Sequence, residues 1–210
     1  MTPFVQSANA WLRRVPVWPV YAAGAALPLW LFWQGASGAL GADPVKAMER
    51  TLGLWALRLL VLGLAVTPLR RLTGISLLRF RRAIGLTAFG LALCHFLTWL
   101  ALDMGFLWGQ IVADIVKRPY VTMGMAGLVL MLPLAATSND WSLRRLGAGR
   151  WRRLHRLTYP VVLAGAVHYL WLVKAWPVSP ILYLAAVGAL LALRFGWWRP
   201  RRGANGAIVR

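Results

Sequence analysis

Three histidines, His95, His155 and His168, stand in a chain of 210 residues that is 60% hydrophobic and only 14% charged. His95 and His168 fall inside apolar runs long enough to cross a bilayer, where an ionisable ring is costly and ordinarily has a function. Imidazole is the axial ligand that haem iron takes in many one-electron carriers. At helical rise His95 lies about 18 Å from the start of its run near Ala83, and His168 about 15 Å from the start of its own. Two imidazoles at one depth on neighbouring helices are what a bis-histidine haem requires. The alternative is that each ring bridges helices through hydrogen bonds. Gly90, Ala92, Ala164, Gly165 and Ala166 are small enough to leave room for a porphyrin beside the rings.

His155 lies roughly 20 Å below His168 at helical rise, a depth suited to a second haem. No fourth histidine exists to pair with it. Arg81 and Arg82 face it. The fourteen residues from Arg81 to His95 make about 3.9 turns, so Arg81 nearly shares the His95 face and Arg82 does not. Arg81 is therefore expected as an unusual ligand or as the partner of a haem propionate. The same arithmetic places His155 off the His168 face, unless Pro160 starts the regular helix late. The other reading of His155 is a solvated interfacial residue. Arg58 is expected to be buried in its span, pairing with a propionate or snorkelling. The sequence holds no Ser-His-Asp set, no carboxylate pair inside the membrane and no phosphate-binding glycine loop, so no catalytic residue is assigned. The lone Cys94 excludes an internal disulfide and a Cys-x-x-Cys-His attachment, so any haem is non-covalent haem b, one or two per chain.

Six apolar stretches must position these rings: 17–34, 52–68, 83–101, 120–136, 158–174 and 179–196. The fold class they imply is all-α, a polytopic bundle of six transmembrane helices forming one domain over residues 1–210. A net charge of +19 suggests a nucleic-acid binder, but the basic residues cluster between the apolar runs. Eighteen arginines fall at the start, in segments 69–82 and 137–157 and at the C-terminal end. The opposite side carries Lys46, Arg50, Lys117, Arg118 and Lys174. This asymmetry places both termini in the cytoplasm and excludes nucleic acid as the reason for the charge. Trp18, Trp33, Trp99, Trp141, Trp176, Trp197 and Trp198 lie near predicted span ends, where an amphipathic ring prefers the interface. Arg13-Arg14 ahead of an apolar run resembles a twin-arginine signal, but the run is long and aromatic and is read as a retained anchor. Segment 103–119 has the apolar pattern Ile111, Val112, Ile115, Val116 of a short amphipathic helix on the outer surface. The inner loop 138–156 is the most basic stretch, explained by topology or by contact with anionic lipid or a partner. Residues 82–95 and 155–168 are weakly similar, each starting basic and ending on a histidine, and the two spans run parallel.

Short motifs run in order along nearly the whole chain: Gly-Ala-Asp-Pro-Val-Lys at 41–46, Thr-Pro-Leu at 67–69, Arg-Arg-Ala-Ile-Gly-Leu at 81–86, Lys-Arg-Pro-Tyr-Val-Thr-Met-Gly at 117–124, Leu-His-Arg-Leu-Thr-Tyr at 154–159 and His-Tyr-Leu-Trp at 168–171. In these the chain resembles the MsrQ family of haem-binding membrane subunits and, more distantly, the ferric-reductase-like transmembrane family. The resemblance implies a multi-pass protein of the bacterial inner membrane. Such a protein passes electrons to MsrP, a periplasmic molybdopterin enzyme that repairs oxidised methionine in proteins. The donors it implies are the quinone pool or a cytoplasmic flavin reductase, the latter through flavin mononucleotide (FMN). The chain is thus expected to be the electron-transfer subunit rather than the catalytic one. Related oxidases use two histidine pairs, and here Arg81 stands where one inner imidazole is expected. The reading from a different class is a small metal-ion or solute transporter with histidines as transient ligands, although no Asp or Glu lies mid-span. A third is a membrane anchor without cofactor.

Overall fold

Helices occupy all six apolar stretches. The structure, a computed structural model, describes residues 2–173 and 177–196. Trp176, Lys174 and the tryptophans and arginines beyond Gly196 lie outside the described residues. The helices are α1 (Pro3–Arg14), α2 (Trp18–Ala36), α3 (Pro44–Thr73), α4 (Arg81–Thr98), α5 (Trp108–Lys117), α6 (Pro119–Ala136), α7 (Asp140–Leu154), α8 (Thr158–Leu172) and α9 (Val178–Gly196). Prolines open α1, α2, α3 and α6, where a missing amide costs nothing. Asp43 caps α3 by accepting from the Lys46 amide at 3.0 Å, and Gly74 ends it at φ 79°, a left-handed stop that favours glycine.

Length and composition let three segments cross a membrane by themselves among the described residues: Pro44–Thr73, Leu78–Asp103 and Pro119–Ala136. Counting α1 and α2, bent by 65°, as one broken span makes four. α8 has 15 residues and rises about 22 Å, short of the roughly 30 Å of hydrocarbon: it starts after a 3₁₀ turn at His155–Leu157 and ends where the backbone turns extended at Val173. The chain is a membrane protein of all-helical fold. Its outward faces agree: Leu29, Trp30, Phe32 and Trp33 of α2 are 57–71% exposed, an arrangement suited to lipid as solvent.

α3 packs most extensively on α4, and α6 on α8; α2 lies on α4 and α9 on α8. Between the pairs sit Ala88, Met131 and Val161, and between α3, α8 and α9 sit Leu57, Leu64, Val162, Ala166 and Val187. Small residues bring backbones close, as lipid-embedded packing requires. A Cβ at Gly24 of α2 would collide with the Thr87 methyl group of α4.

One element differs from the sequence reading and one was not read there. The basic segment 138–156 is not a loop: Asn139 caps α7 by accepting from the Ser142 amide at 2.7 Å, and the helix kinks at Gly147 (φ 73°). The start forms α1, held by Asn9, whose side chain donates to Gly74 O at 3.0 Å and accepts from the Ser76 amide at 2.8 Å. The Arg79 guanidinium donates to the carbonyls of Leu12 and Arg13, completing the end of α1. Segment 103–119 does contain a short helix, α5, with Ile111 buried and Val112 and Val116 exposed.

Candidate functional site

His95 lies near the C-terminal end of α4 and His168 near that of α8. Their ring centres are 6.2 Å apart and the ring planes stand at 73°. Because both helices bring their C-terminal ends to one place, they run parallel. Each ring is tied to a backbone carbonyl on its neighbouring helix. His95 Nδ1 lies 2.8 Å from the Glu49 carbonyl oxygen on α3, and His168 Nδ1 lies 2.6 Å from the Tyr120 carbonyl oxygen on α6. A carbonyl only accepts, so Nδ1 carries the proton in both rings and Nε2 keeps its lone pair. That is the tautomer a metal-ligating histidine shows, with the second nitrogen bonded to a backbone oxygen. Two imidazole nitrogens each about 2 Å from one metal set ring centres roughly 6 Å apart, which matches the pair. The residues present therefore fit a metal held between two imidazoles.

Glycines seat both rings. A Cβ at Gly53 would stand 3.2 Å from His95 Nδ1, and one at Gly124 would stand 3.0 Å from His168 Nδ1. The small residues singled out in the sequence behave differently. A Cβ at Gly90 would meet open space, but Ala164 and Ala166 are buried, and a Cβ at Gly165 would rest 3.5 Å from Leu57. Those α8 residues pack against other helices rather than leave room. Glu49, Gly53, Tyr120 and Gly124 were missed in the sequence because two act through carbonyls and two through absent side chains. The one signal available was the repeated spacing of four from each carbonyl residue to its glycine.

An ion network joins the elements around His95. Lys46 Nζ lies 3.3 Å from Glu49 Oε2 and 2.5 Å from Asp103 Oδ2, bridging the start of α3 to the π-helical turn Trp99–Asp103 after α4.

His155 sits apart, on the 3₁₀ turn between α7 and α8. Its ring stacks on Trp151 with centres 3.8 Å apart, and its Nε2 lies 3.1 Å from Thr137 Oγ1. The Thr137 hydroxyl donates to Pro133 O at 2.6 Å, so it accepts from His155 Nε2–H. Partial burial, and next the Arg81 charge, push the His155 imidazole below its ordinary value. Arg81 opens α4 and is exposed. Arg58 departs from expectation: it is exposed, lies over the Trp55 ring at 4.8 Å and donates from Nε to Tyr183 OH at 3.0 Å. An α9 tyrosine and an outward indole hold it, so it is not buried in its span. Among the described residues no three His, Cys, Asp or Glu side chains group as a metal cluster.

Residues 52–166 match the family model described as ferric reductase like transmembrane component. This chain belongs to that family. The matched segment contains Gly53, Arg81, His95, Gly124 and His155 and ends two residues before His168. The chain is also similar to curated family relatives named protein-methionine-sulfoxide reductase heme-binding subunit MsrQ. Those from Brucella anthropi, Brucella ovis and Brucella suis are each 54% identical over 178 residues, covering 85% of this chain and 80% of the relative. No solved structure matches the chain significantly.

Proposed function

We propose that this chain is the haem b-binding, electron-transfer subunit of a membrane-bound protein-methionine-sulfoxide reductase. The observation that carries the reading is the pair of imidazoles on α4 and α8, 6.2 Å between centres, each with Nδ1 committed to a carbonyl. The names of the relatives support it. Haem, when bound, supplies a carrier that accepts and releases one electron at a time. The residues do the rest. His95 and His168 would hold the iron through their Nε2 atoms. Glu49 O and Tyr120 O hold the ring orientations. The surrounding apolar helices exclude water and so govern the potential.

In this reading the chain crosses the bacterial inner membrane six times with both termini cytoplasmic, supported by its arginine distribution. Electrons come from the quinone pool or from a cytoplasmic flavin reductase through FMN. They leave to the periplasmic molybdopterin subunit, MsrP, on which methionine sulfoxide is reduced. Arg81 and His155 belong to the inner end of the path. Arg81 supplies a positive charge for a propionate there. His155 joins an inner haem only by giving up its bond to Thr137.

The test is an oxidised-against-reduced visible spectrum of the protein purified in detergent. A sharp reduced α-band of six-coordinate haem b is expected, and His95→Ala and His168→Ala should each abolish it. A colourless protein from haem-replete cells would overturn the reading.

A further inference from the structure

The two histidines are seated by the same construction, used twice. On α3 the acceptor carbonyl belongs to Glu49 and the glycine under the ring is Gly53; on α6 they are Tyr120 and Gly124. The offset is four residues in both helices. In an α-helix the carbonyl of residue i already accepts from the amide of residue i+4 and has one further lone pair. Side chains lean toward the helix N-terminus, so the side chain at i+4 covers the approach to that lone pair. Glycine at i+4 uncovers it, and an imidazole lies on the bare backbone and donates to the exposed oxygen.

We infer that Gly53 and Gly124 are positioning residues that set the rotation and donor strength of His95 and His168. The inference rests on the haem-binding reading above. A Cβ at Gly124 would stand 3.0 Å from Nδ1 and 3.1 Å from Cε1 of His168. At Gly53 the same atoms of His95 would be 3.2 and 3.3 Å away. Each ring must then shift by a few tenths of an ångström, off its carbonyl. A weaker Nδ1–H···O=C bond makes the imidazole a poorer donor, which destabilises oxidised iron and raises the midpoint potential. Other glycines of the same helices carry no such load. A Cβ at Gly63 would rest 3.6 Å from Ile84 and one at Gly127 3.6 Å from Ala164, which are ordinary contacts.

The experiment compares Gly53→Ala and Gly124→Ala with Gly63→Ala and Gly127→Ala in the full chain purified in detergent. Haem content, gel-filtration profile, midpoint potential and low-temperature EPR g-values are measured for each. Both ring-seat variants should elute as wild type and retain haem, with a raised potential and shifted g-values, the larger change in Gly124→Ala. The two control variants should match wild type. Wild-type potential and g-values in both ring-seat variants would overturn the inference. So would an equal shift in the controls, or loss of folded protein from both ring-seat variants, which would make the glycines packing residues only. A wild-type protein without haem would instead remove the proposed function itself.

Discussion

Tyr120 and Glu49 serve the paired imidazoles through their backbones, and this separates what mutation can remove from what it cannot. Tyr120→Phe deletes the hydroxyl that accepts from Arg118 at 3.2 Å but leaves the carbonyl that holds His168. It should therefore keep the wild-type haem-to-protein ratio and α-band, read in one pair of spectra. A loss comparable to that of His168→Ala would mean that the phenol ring, 6.2 Å from the imidazole, does the holding. The histidines themselves were legible in the sequence, since an imidazole deep in an apolar run has few uses. Their partners were not. A carbonyl acceptor is identical at every residue, and only the packing of α3 on α4 and α6 on α8 decides which one is used.

At the scale of elements, two antiparallel hairpins, α3–α4 and α6–α8, each carry one ring and the carbonyl that holds it. Lys46 ties the first hairpin together where α3 starts by reaching both Glu49 and Asp103. The Glu49 and Asp103 side chains are only 12% and 21% exposed, so the network lies between a solvated pair and a buried one. Lys46→Ala should cost about 1–2 kcal/mol of stability, more than a surface ion pair and less than a fully buried one. A melting temperature in detergent several degrees below wild type is the expected reading, and an unchanged one would show that the two carboxylates find compensation. The apolar stretches were legible as helices because lipid-facing runs carry a continuous hydropathy signal. α7 was not, because an arginine-rich segment with two glycines looks like a loop until the Asn139 cap is seen, and α1 was not, because its hold on the bundle depends on a docking contact by Asn9. The start of α8 agrees with the apolar run read from residue 158; the 3₁₀ turn over His155–Leu157 that precedes it sets His155 apart from the helix.

For the whole molecule, the placement of the two rings makes the proposed haem a fastener between halves. α4 meets α6 and α3 meets α8, but both contacts are sparser than those inside each hairpin. Helices in lipid gain little from apolar burial against one another, so an interface of small residues depends on close fit and on polar or metal bonds that cross it. A ligand that bonds His95 on one side and His168 on the other adds such a crossing. It also binds the folded state alone, which stabilises by about 4 kcal/mol when the ligand stands at a thousand times its dissociation constant. The double variant His95→Ala/His168→Ala should therefore melt well below the haem-loaded protein. Its loss of protection in hydrogen exchange should concentrate where α4 faces α6 and α3 faces α8, and not within the α3–α4 and α6–α8 contacts. Equal melting temperatures, or protection lost uniformly, would show that the bundle holds its halves together by packing alone and that the rings merely occupy a site already rigid.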